Sequence, residues 1–153
     1  MTTTLLIIHG LLAVTLLGSL THQTMALWWP ARAGHSVASS FRGVRSQIYT
    51  NTIIVLFVLT AIGGSVLYPT YRITVRPILE QLRMNAANGI FEFKEHLVAI
   101  GLGLLPAYWY YWRQPLAPEY AFVRRMLTSL LAFTVWWGFL TGHILNNIRG
   151  FGL

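Results

Sequence analysis

The chain has 153 residues, of which 55% are hydrophobic and 10% charged, with no cysteine and a formal net charge of +7. Soluble domains carry about 25% charged residues, and a chain this apolar has too little polar surface to stay in water. A disordered chain, a disulfide-stapled module and an ordinary cytosolic enzyme are therefore excluded. Without cysteine there is no thiolate metal site, no cysteine-ligated iron–sulfur cluster, no thioether-linked haem and no cysteine nucleophile.

A membrane-crossing helix takes roughly 20 mostly apolar residues, and four stretches of the chain meet that need. The first runs over residues 5–28 and stops at Trp28-Trp29-Pro30. Its start, Met1-Thr2-Thr3-Thr4, lacks the positive charge of a signal peptide, so a retained span is predicted. The second covers 48–68 and is expected to end at Pro69. The third, 91–112, closes on Tyr108-Trp109-Tyr110-Tyr111-Trp112, an aromatic cluster typical of a membrane interface. The fourth covers 126–148, between Arg125 and Arg149.

The connections carry the polar residues. Residues 31–47 read as a polar loop rich in Gly, Ser and Arg. Between the second and third spans, the segment Arg76 to Arg83 puts Pro77 at a helix start and Ile78, Leu79 and Leu82 on one stripe. That pattern predicts a short amphipathic helix on the surface. Gln114-Pro115-Leu116-Ala117-Pro118 is a stiff turn. The expected fold is thus an all-α membrane protein, a single antiparallel bundle of four transmembrane helices with both termini on one side.

The arginines flank the apolar runs, so topology accounts for the basic charge and no nucleic-acid partner is expected. Arg32, Arg42, Arg45, Arg113, Arg124 and Arg125, set against Glu119, leave +5 on the side of the first and third connections. Arg72, Arg76, Arg83, Lys94 and Arg149, set against Glu80, Glu92 and Glu95, leave +2 on the side of the termini. The positive-inside rule then puts the termini outside a bacterial inner membrane.

Three of the five histidines share a depth. His9, His96 and His143 lie four to six residues from the terminal side of the first, third and fourth spans, within about one helical turn of a common layer. Neutral imidazole is the common ligand of haem iron, zinc, copper and non-haem iron. Two of the three histidines suffice for one haem b. All three with Glu92 or Glu95 would instead make a mononuclear metal site. His22 and His35 read as interfacial or solvated. Tyr68, Tyr71, Arg72 and Arg76 supply hydrogen-bond donors beside an apolar slot, as a quinone or a docked extrinsic electron carrier would require.

The layout resembles that of four-helix membrane cytochromes of the b type, which implies histidine-held haem and electron transfer. Members with two haems place two histidines on one face of one helix. His9 and His22, thirteen residues apart, stand about 140° out of register, so one haem is implied at most. The expected function is a small integral-membrane subunit of a respiratory or photosynthetic electron-transfer complex, in contact with lipid and other subunits. The alternatives are an iron-, zinc- or copper-handling membrane protein, and a structural or pigment-supporting subunit.

Overall fold

The computed structural model describes residues 2–29, 46–115 and 117–150, with side chains among these except at 2, 46 and 146–150. Most of the 31–47 loop, with Arg32, His35, Arg42 and Arg45, lies outside the described residues, as does the side chain of Arg149.

All regular structure among the described residues is helical. Helix α1 covers Thr2–Trp28. A 3-10 turn at Ser46–Ile48 enters α2, Tyr49–Thr70, which continues through a π-helical turn at Tyr71–Val75 into α3, Arg76–Gln81. Helix α4 is Asn85–Arg113, and a 3-10 turn at Pro118–Tyr120 leads into α5, Ala121–Gly150.

Three stretches, Thr3–Trp28, Tyr49–Gln81 and Pro118–Leu145, are long and apolar enough to cross a membrane. Helix α4 is as long, at 29 residues, but is not among these stretches. Glu92, Lys94, Glu95 and His96 crowd its first half, and tyrosines and tryptophans fill its last turns.

The second helix does not stop at Pro69, which lies inside it. Proline lacks an N–H and crowds the carbonyl one turn back, and the π turn that follows re-registers the backbone without ending the rod. The predicted surface helix is consequently the far end of this rod. Leu79 is buried at its junction with α4, whereas Leu82 of the same predicted stripe is half exposed.

The rod ends in a Schellman turn. The N–H of Met84 donates to the Leu79 carbonyl at 2.8 Å and that of Arg83 to the Glu80 carbonyl at 3.0 Å. Arg83 takes the left-handed conformation, φ 56°, that usually falls to glycine at this position. Arg76 then ties the rod to its neighbour, donating to Glu80 at 2.7 Å and to Glu92 of α4 at 2.9 Å.

The four long helices form a ring in which α1 packs on α2 and α5, and α4 packs on α2 and α5. Each presents a seam with alternating steps of three and four residues, the spacing that keeps one stripe of a helix on its neighbours. The seam of α1 is His9, Ala13, Leu16, Leu20, Gln23 and Leu27, and that of α2 is Thr50, Ile53, Phe57, Thr60, Gly64, Leu67 and Tyr71. In α4 it is Phe91, Lys94, Val98, Gly101, Leu105, Tyr108 and Trp112, and in α5 Arg124, Thr128, Leu131, Val135, Gly138 and Gly142.

One end of the ring is filled. Leu16, Leu20, Ile53, Phe57, Leu105, Tyr108, Trp112, Leu131 and Val135 form its core. Two side-chain hydrogen bonds join helices across this core, meeting part of what burial of polar atoms demands. The Tyr108 hydroxyl donates to the side-chain oxygen of Gln23, and Trp112 Nε1 donates to Thr128 Oγ1 at 3.1 Å. Arg124 is 3% exposed and donates to the carbonyls of Pro115 at 2.9 Å and Ala117 at 3.0 Å. It reaches those of Tyr111 and Gln114 at 3.4 and 3.3 Å. A residue whose charge the topology count assigns to a loop is thus a cap on the last carbonyls of α4.

Candidate functional site

The other end of the ring is hollow. A cavity of about 370 Å³ lies among α1, α2, α4 and α5, walled by apolar residues such as Leu6, Leu16, Phe57, Leu67, Val98 and Phe139. Its volume falls in the range of small-molecule sites. Small residues make the space: Gly10, Ala13, Ala61, Gly64, Gly138 and Gly142 all line it. A side chain begun at Gly10 or Gly142 would meet nothing within 4 Å, so these two glycines front open volume.

Histidine and charged side chains enter this apolar space from three helices. His9 comes from α1, Lys94 and Glu95 from α4, and His143 from α5. His9 is half-buried, and its Nδ1 has no hydrogen-bond partner among the described residues. The ring lies against α2, where Gly63 and Gly64 leave room for it. Lys94 and Glu95 are the charged groups that act on it. His143 stacks on Phe139, with ring centroids 6.2 Å apart and planes within 5°. Its imidazole is on the open flank of the cavity.

Lys94 Nζ pairs with Glu95 Oε1 at 2.9 Å and sits 4.0 Å from the centre of the Phe91 ring. An ion pair in apolar surroundings loses hydration on both partners, and mutual attraction offsets part of that cost. The cation–π contact on Phe91 adds to the offset.

Two aromatic residues of the expected quinone or partner contact also reach the cavity. Tyr68 and Tyr71 line it, and both stack on Phe91, with Tyr71 only 3.7 Å away between centroids. The Tyr71 hydroxyl donates to Asn88 Oδ1 at 3.0 Å. Arg72 and Arg76 do not line it. Arg72 is exposed beside the Tyr68 ring, and Arg76 is engaged by its two glutamates.

The histidine layer is only partly assembled. His9 and His143 share the cavity, together with Glu95. His96 is exposed, with its Nδ1 2.7 Å from the carbonyl oxygen of Glu92 one turn back in its own helix, and it does not line the cavity. Glu92 is bound to Arg76 instead. Among the described residues, no group of three or more His, Asp and Glu side chains is placed to hold a metal ion.

The separation of His96 from the others follows from helix geometry. Residues two apart point about 200° away from each other around a helix, so with Lys94 turned inward His96 must turn out. Lys94 itself is absent from the residues singled out by depth and chemistry. Its signal is the three-and-four spacing, which puts it in register with Phe91, Val98 and Gly101.

No family model matches this chain, and neither does any curated protein or solved structure.

Proposed function

We propose that the protein is a small integral-membrane subunit of an electron-transfer complex, holding one haem b between His9 and His143. In this reading the four long helices cross the bilayer as an antiparallel bundle. Both termini then face outward from a bacterial inner membrane. The observation that carries the reading is that imidazoles from two different helices line one apolar cavity.

The residues present suit a haem. His9 and His143 would hold the iron, each offering an imidazole from its own helix. Gly10 and Gly142 leave space where side chains would otherwise stand, and the apolar walls suit a macrocycle. The absence of a three-ligand group among the described residues favours haem, which needs two protein ligands, over a mononuclear metal. Bound haem would supply a one-electron redox centre. The chain's own part is to ligate it, to exclude water with Leu6, Leu67 and Phe139, and to offer Tyr68 and Tyr71 as the edge where a quinone or carrier approaches.

An absorption spectrum of the purified protein tests this reading. A Soret band with sharp reduced α and β bands is expected, lost in His9→Ala and in His143→Ala and retained in His96→Ala. A colourless protein after haem reconstitution, or a chromophore that survives the first two substitutions, overturns it. Orientation is tested separately, because a cysteine placed at Ser39 should resist an outside-only reagent in intact cells.

A further inference from the structure

We propose that Lys94 is the anchor for a carboxylate carried by the apolar ligand of this cavity, the propionate edge of a haem. The inference rests on the haem reading above and adds the chemical group that the ligand must bear.

A lysine on the inner seam of an apolar helix ring is costly to keep, and its ion pair and ring contact offset only part of that cost. The Lys94 side chain is 15% exposed and Glu95, its ion-pair partner, 34%, so the positive end of the pair faces inward. An ammonium has three N–H donors, and the carboxylate of Glu95 takes one at 2.9 Å. The Phe91 ring supports the charge from a second side without consuming a donor. Gly138 of α5 lies beside the lysine stem, where an added Cβ would stand 3.8 Å from Lys94 Cγ, an ordinary contact. Of the two charged side chains that line the cavity, Lys94 and Glu95, the lysine is the less exposed, in a setting where a charge-assisted hydrogen bond is strong. A wholly apolar ligand would leave that donor unmet. A ligand with an acid on an apolar body would satisfy both the walls and the lysine.

The test uses the purified full-length chain in detergent, titrated with ferric protoporphyrin IX and with its dimethyl ester and followed by the Soret band. The free acid should bind about tenfold or more tightly than the ester, the weight of one hydrogen bond to a charged group. Lys94→Met should erase that preference and Lys94→Arg should keep it. The wild-type comparison needs no substitution, so a misfolded variant does not blunt it. Equal affinity for acid and ester, with a spectrum still dependent on His9, overturns the anchor and leaves the haem reading standing. If neither porphyrin binds, a fluorescent long-chain fatty acid decides. Lys94-dependent binding assigns the carboxylate to a lipid and overturns the haem reading alone, whereas no binding overturns both.

Discussion

The ring of His9 lies so close to Gly63 that a methyl group at residue 63 would come within 3.0 Å of Nδ1. One residue along, the same methyl at Gly64 would stand 3.5 Å from Cε1, an ordinary contact. The backbone of α2 therefore sets where the imidazole rests. Gly63→Ala should push the ring and weaken haem binding by about tenfold, and Gly64→Ala, whose methyl meets the ring at ordinary contact, should weaken it less. Titration of both variants with haem checks this. Equal affinities would show that α2 does not hold the ligand in place.

Phe57 of α2 packs against Gly101 of α4. A Cβ at residue 101 would fall 2.5 Å from Phe57 Cζ, and Phe57 is 3% exposed, so the ring has little room to yield. Gly101→Ala should cost about 1–3 kcal/mol through overpacking. Phe57→Leu added to it should recover part of the loss, because the smaller side chain removes the overlap. A double-mutant cycle on detergent unfolding measures the coupling, and additive effects would contradict the contact.

The fork of Arg124 holds the end of α4 and the following turn. Arg124→Met keeps the stem and removes the donors, leaving carbonyls of Pro115 and Ala117 without this partner. A loss of about 2–3 kcal/mol is expected for charge-assisted bonds in a buried setting. Arg124→Lys should recover only part of it, since an ammonium lacks the planar fork. Thermal unfolding of both variants reads this, and a lysine variant as stable as the wild type would make charge, rather than geometry, the requirement.

Arg83 occupies a glycine position. Its left-handed backbone, φ 56°, is costly for a side-chain-bearing residue by about 1 kcal/mol, so Arg83→Gly should stabilise the turn by roughly 0.5–1 kcal/mol. Arg83→Val, β-branched, should destabilise it by at least as much. The same unfolding assay reports the sign, and a destabilised glycine variant would mean that the arginine side chain has a role the turn does not reveal.

Helix content was legible because long apolar runs bounded by Pro, Gly and aromatic clusters leave few alternatives. The end of the second helix was not legible. Pro69 is a sound local stop signal, yet a single π turn absorbs the missing hydrogen bond when the following residues have a neighbour to pack on, as Leu79 does on α4. The grouping of His9 with His143 was half legible, since residue spacing gives depth along a helix and the direction around it depends on which stripe packs. The stripe was present in the sequence as alternating steps of three and four. Polar and small seam residues, Lys94, Gly101 and Thr128 among them, masked it from a search for apolar periodicity.

By itself the sequence determined that any cofactor here is held without cysteine, that the chain is helical, and that His9, His96 and His143 fall on three different helices. The tertiary structure alone decided that two of them face one cavity, that His96 turns away, and that a lysine takes the inner place. The reason is rotation: a step of two residues reverses the direction of a side chain on a helix, and only packing against neighbouring helices selects which direction is inward.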